Sequence, residues 1–121
     1  MAYDVNMSVI SVPASADMSA NQFLFGTIGA TGVALTGAGA AADGVICDKG
    51  GSALNRPVAL AATPGQVVRV MAGAAITSGD LLDVDGAGKA ITHVAGKIVG
   101  RALAAAGAAG DIIPALLILQ R

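Results

Sequence analysis

The sequence predicts a mainly all-β domain: a compact antiparallel β-sandwich or small β-barrel with an extended N-terminal segment. Three observations carry this. Short β-branched and apolar runs recur along the chain, separated by Gly, Asp and Pro, the punctuation of strands and turns. Leu81–Val84 and Lys89–Val94 flank Asp85-Gly86-Ala87-Gly88, and an Asp-Gly loop between apolar runs is the strongest short-range hairpin signal. The apolar content is also fine-grained: 55% of the 121 residues are hydrophobic but only 2% aromatic, with 27 Ala and 17 Gly. Such a chain buries modest area per residue, so a lone monomer is only modestly stable and a further partner surface is expected. The length suits one domain, residues 13–121, preceded by residues 1–12 as an arm or first strand.

Asn6–Val12 reads as a strand closed by Pro13. Gln22–Ile28 is a second, with Phe23 and Phe25 on one face at period two. Gly32–Thr36 and Val45–Cys47 are short candidates, and Arg56–Leu60 starts at a turn. Thr63-Pro64-Gly65 is a turn signature, since Pro presets one central φ and Gly accepts a positive φ at the next. Gln66–Met71 then puts Val67, Arg69 and Met71 on one face and Val68 and Val70 on the other. After the hairpin, Lys97–Ala102 and Ile112–Leu119 supply the last strands. Pro114 cannot donate to a ladder, which places it on an edge or at a bulge. Arg101–Ala109 is rich in Ala, a strong helix former, yet Gly100, Gly107 and Gly110 interrupt it; a strand running into a loop is expected, with a short helix as the alternative. Ala72-Gly73-Ala74-Ala75 before Gly79-Asp80-Leu81-Leu82 is echoed by Ala106-Gly107-Ala108-Ala109 before Gly110-Asp111-Ile112-Ile113. Reuse of one turn type explains the echo more simply than duplication.

The net charge is −1, all eight acids are Asp, and the seven bases run from Lys49 to Arg121 without clustering. Nucleic-acid binding is not expected, because neither a basic stripe nor aromatic stacking platforms are present. A polybasic membrane patch is equally absent. Met18–Ala42 is uncharged, but its Gly, Thr, Asn21 and Gln22 and its lack of flanking Lys or Arg argue against a membrane span. The N-terminus has no basic region followed by a long apolar stretch, so a secretory signal is not expected. A single cysteine, Cys47, excludes an internal disulfide and a Cys-based zinc site, and fits a reducing cytoplasm.

No catalytic, cofactor-binding or metal-binding set is expected, and no small-molecule substrate. His93 is the only histidine, and a base needs a positioned nucleophile or carboxylate. Asp80, Asp83 and Asp85 lie nearby, but turn chemistry explains each, and their spacing is a poor match to a calcium loop. Gly26, Gly29 and Gly32 fail the dinucleotide-binding spacing. Cys47, at a strand end, is expected to pack as a small hydrophobe. Asp48-Lys49 in Val45–Gly50 resembles the modified lysine of lipoyl or biotinyl carrier domains, so a carrier with Lys49 as its modified residue is the alternative function.

Taken in order, Ser15–Gln22 (SADMSANQ), Gly32–Leu35, Ala42–Ile46, Gly65–Val70, Ala72–Asp85 (AGAAITSGDLLDVD), Gly88-Lys89-Ala90, Ile98–Leu103 and Gly110–Ile113 resemble the small Ala/Gly-rich head decoration, or capsid cement, proteins of tailed bacteriophages. The resemblance covers nearly the whole chain from Ser15, in turn-and-strand patterns rather than reactive residues. It implies a protein made in the host cytoplasm and carried on the capsid exterior of the virion. There it would bind the major capsid protein, with a homotrimer favoured, and clamp neighbouring subunits together. Tyr3, Val5, Met7 and Val9 alternate as a strand added to another sheet would require, which makes them contact candidates; lining the domain's own sheet is the other reading. Arg56, Arg69 and Arg101 are candidates for rim ion pairs with capsid carboxylates.

Overall fold

A computed structural model describes residues 9–121, and all their regular structure is β, in two antiparallel five-stranded sheets packed together and not closed into a barrel. The strands are β1 (Val9–Pro13), β2 (Phe25–Gly29), β3 (Gly32–Leu35), β4 (Gly44–Ile46), β5 (Pro57–Ala61), β6 (Val67–Met71), β7 (Leu81–Val84), β8 (Ala90–Thr92), β9 (Gly100–Ala102) and β10 (Ile112–Leu117). Sheet one has the order β1-β5-β4-β2-β3 and sheet two β6-β10-β9-β7-β8. The expected sandwich is therefore present, with the Asp-Gly hairpin as β7–β8. Residues 9–12 belong to β1. No helix of the described residues is long and apolar enough to cross a membrane.

The two orders are one order. Each half of the chain makes the same five strands and joins them the same way, and the correspondence holds residue by residue. In the first half Ala14 bridges Val33 in parallel; in the second, Ala72 bridges Ala90. Val45 pairs with Phe25 and Ala61; its counterpart Arg101 pairs with Leu81 and Leu116. The Met18 amide donates to the Gly51 carbonyl and the Ile76 amide to Ala106; Asn55 donates to Ala14 and Gly110 to Ala72. The echo seen in the sequence does not mark this repeat. Its two segments share a turn, while the repeat runs between halves with few identities, such as Val9 with Val67, Val12 with Val70, Ala14 with Ala72 and Gly44 with Gly100.

Each half buries its own set at matching positions. Ala14, Met18, Val33, Ile46, Val58 and Leu60 form one cluster. Their counterparts Ala72, Ile76, Ala90, Ala102, Ile113 and Ala115 lie in the other, which also takes in Phe25, Val45 and Ala61 from sheet one. Ala and Val make this workable: small side chains let short strands approach closely, at the expense of apolar area per residue. Backbone bonds tie the halves together: Phe25 amide to Gly88 carbonyl, Gly39 to Val84, Lys97 to Gly39 and Met71 to Phe23.

Three local expectations need correction or completion. Phe23 does not share a strand face with Phe25. It sits at the third position of the turn Asn21–Leu24, closed by the Leu24 amide on the Asn21 carbonyl, with φ 72°. Gly79 holds the matching place in Thr77–Asp80 at φ 92°, and the Ala108–Asp111 turn repeats it with Gly110 at φ 92°. Pro114 is not on an edge, because β10 lies between β6 and β9. Its carbonyl accepts from Leu103, so its donorless nitrogen points to that same side, where β9 has already ended at Ala102. Arg101–Ala109 runs from strand into loop, and Ala106 bridges Ile76. Gly79 has open space where a Cβ would stand, so Gly79→Ala isolates the backbone term; it should cost about 1–2 kcal/mol in chemical denaturation through the left-handed φ alone.

Candidate functional site

Asp83 is a strand residue, flanked in β7 by the core side chains Leu82 and Val84, and is 4% exposed. Its Oδ1 lies 2.6 Å from His93 Nδ1, and its Oδ2 accepts the amides of Val94 (3.1 Å) and Gly96 (3.0 Å). The carboxylate thus fixes the whole 93–96 loop. Burial opposes its ionisation, but the bonds from His93, Val94 and Gly96 outweigh that and hold its carboxyl below the ordinary aspartate range. The turn reading of Asp83 was therefore incomplete. The available signal was a carboxylate inside an apolar strand run, where Asp is otherwise depleted.

The first half holds a neutral version of the same pair. Thr27 matches Asp83 and Thr36 matches His93; their hydroxyls lie 2.9 Å apart, and Thr27 also donates to the Ala41 carbonyl at 3.0 Å. The amides of Thr36 and His93 donate to Phe25 and Leu81, which also correspond. The loops touch: a Cβ on Gly96 would stand 2.5 Å from the Gly39 Cα. Chemically, Asp83 orients an imidazole and locks a joint between halves. A triad would add a nucleophile bonded to His93 Nε2, and no such bond occurs among the described residues.

The neighbouring aspartates serve turns. Asp80 Oδ2 accepts from the Thr77 amide and the Thr92 hydroxyl, both at 3.1 Å, and Asp85 Oδ1 from the Ala87 and Lys89 amides. Among the described residues no group of three His, Cys, Asp or Glu is placed to hold a metal. Cys47 is half-buried against the core. Burial pushes its thiol up, a backbone bond at Ala61 opposes this, and Asp48 adds to it; a thiol kept protonated is a poor nucleophile. Lys49 is exposed in the long loop between β4 and β5, where Asp48 folds back onto the Gly50 and Ala59 amides. A tight hairpin tip, as a swinging lysine arm needs, is not what holds it.

Tyr3, Val5 and Met7 lie outside the described residues. Val9 pairs with Ala61 on β1, an edge strand, and is 45% exposed. Arg69 and Arg101 share the outward face of sheet two, with Pro114 and Leu116 of β10 between them by register. Arg101 Nη1 donates to the Gly79 carbonyl at 3.0 Å. From β6 to the start of β7 the rest of that face is apolar, with Val67, Met71, Ile112 and Leu81 at or near the surface, and Asp83 lies beyond Leu81 under the 93–96 loop. Arg56 is exposed in the other half, at the position matching Asp111. The structure therefore sets two of the three candidate arginines on one face and leaves the third in the other half. No family model, curated protein or solved structure matches the chain.

Proposed function

We propose that the protein is a capsid decoration protein, binding the outside of an assembled tailed-phage head and stabilising it by bridging neighbouring major capsid subunits. One observation carries this reading: from β6 across to Leu81 of β7 the outward face of sheet two is apolar apart from Arg69 and Arg101, and its remaining charge, Asp83, is covered by the 93–96 loop. That is a surface for docking rather than for chemistry. The segment order of the sequence points the same way. A protein that binds only the assembled lattice stabilises it by mass action, and an oligomer engaging several subunits makes many small contacts act as one. Residues 1–8 lead into edge strand β1 and would add a strand-like contact to a capsid subunit.

The test is co-sedimentation of the purified protein with the heads of the phage that encodes it and with its unexpanded procapsids. Fixed stoichiometry on heads and greater resistance of those heads to heat are expected. Arg69→Glu should weaken binding by about tenfold, the loss of one to two kcal/mol at a rim charge, with the melting temperature unchanged. Removing residues 1–8 should also weaken it; a cut through Val12 would instead remove most of β1. No binding to heads at any concentration overturns the reading.

A further inference from the structure

We propose that the face formed by Leu81, Arg101 and Leu116 docks onto the Ile10–Ile28 end of a second copy of this chain, repeating between molecules the contact that joins the two halves within one.

Within the molecule, Phe25, Val45 and Ala61 of the first half share a core cluster with Val68, Val84 and Val99 of the second. The first set is one face of β2, β4 and β5 by register. It completes an end of the second half that its own strands leave open. Each of these residues has a counterpart in the other half. Those of the covering face are Leu81, Arg101 and Leu116. Those of the covered end are Ile10, Ile28 and Asp43. Val68 and Val84 are each 1% exposed, whereas Ile10 is 47% and Ile28 43% exposed. Each half thus carries both sides of a contact, and one of each is used inside the chain. Among the described residues, a covering face on the second half and an open end on the first remain unpartnered.

The occupant is argued from charge as well as from this continuity. Where the internal contact has valines on both sides, Val45 and Val99, the free surfaces have Arg101 on one and Asp43 on the other. Asp43 is already ionised-side biased: burial opposes this, but the Ile28 amide and Arg121 outweigh it and hold its carboxyl below the ordinary range. The Arg121 guanidinium covers one oxygen and the Ile28 amide the other, and a carboxylate has lone pairs to spare for a further donor. A free end that is apolar with a carboxylate fits a face that is apolar with an arginine. Such a contact is head-to-tail, so it closes into a ring or runs on as a filament, according to the rotation between halves. The inference uses the β7–β9 side of the outward face and leaves its β6 side, with Val67, Arg69 and Met71, for a capsid; it goes beyond the capsid reading and is tested without capsids, so either can fail alone.

The experiment is light scattering and sedimentation velocity on the full chain across a wide concentration range. The wild type should show a mass several times that of one chain. Ile28→Asp and Leu116→Asp should each run as a single chain with an unchanged circular dichroism spectrum, and Ile10→Asp replaces Ile28→Asp should the latter not fold. The decisive arm mixes the two variants in equal amounts. Ile28→Asp keeps an intact covering face and Leu116→Asp an intact open end, so the mixture should form a dimer that goes no further. A wild type that stays monomeric throughout, as it would if residues 1–8 covered the open end, overturns the proposal. So do variants that associate like the wild type, or a mixture that remains monomeric.

Discussion

Gly44→Ala is expected to remove a large part of the protein's stability and to lower its melting temperature more than either Gly79→Ala or Gly100→Ala. An added Cβ would be driven into the Ala61 carbonyl on the adjacent strand, with the Leu60 Cγ only 3.0 Å away. The obstacle is backbone in the middle of a paired ladder, so relief requires β4 and β5 to separate. Overpacking of a core typically costs about 1–3 kcal/mol and occasionally more; forcing two paired strands apart should reach about 4 kcal/mol or above, a large share of the roughly 5–15 kcal/mol of an ordinary domain. Gly100 holds the matching place in the second half, with the Leu116 carbonyl 2.8 Å from the added carbon. Gly100→Ala should therefore show the same fault in milder form, about 2–3 kcal/mol. Thermal melts of both variants check this. A Gly44→Ala protein that melts within a few degrees of the wild type would show that the strands are not held as described.

Asp83→Ala should cost about 2 kcal/mol, because it strands three part-buried donors at once: the His93 ring nitrogen and the amides of Val94 and Gly96, each of which falls at the low end of the roughly 1–3 kcal/mol of an unmet buried donor because the loop can reach water. Asp83→Asn keeps one acceptor but turns an N–H toward these donors, so about half the loss is expected. The pH dependence has a definite sign. The folded carboxyl titrates below its unfolded value of about 3.9, so its contribution is complete above that pH and is lost as pH falls through the depressed folded value. Asp43, also held low, adds to the same trend. Wild-type stability measured by denaturant from neutral pH into acid should fall below about pH 4, and more steeply than that of Asp83→Asn. Parallel curves would remove Asp83 from this role.

The fold was legible because its signals are local. Alternation in Gln66–Met71 set Val68 and Val70 on the face opposite Arg69, and the structure buries that pair and exposes the arginine; the Asp85-Gly86 loop marked its hairpin. Turns were harder where the residue disobeys the turn's preference. A positive φ at Gly79 is readable, while the same φ at Phe23 is not, since nothing in a phenylalanine announces it. Pro114 misled because an interior strand can tolerate a missing donor where its neighbour stops short. The repeat escaped because burial, not identity, is what its halves share: Leu60 and Ala115 fill equivalent places with very different volumes. The Asp83–His93 pair was hidden by sequence proximity to real turn aspartates. The exposed arginines were visible as residues but not as a pair, since only strand order sets Arg69 and Arg101 on either side of β10.

The shared cluster of Phe25, Val45 and Ala61 with the second half has a bearing on synthesis. A ribosome delivers the first half before the second, and early-made units generally fold first. If the first half folds first, the surface that finishes the later core would be in place as that core emerges, and Val68 and Val84 would pass from the exit tunnel to shelter with little time in water. The reverse order would expose them until the last strand arrived, so the direction of translation favours the arrangement the chain has adopted.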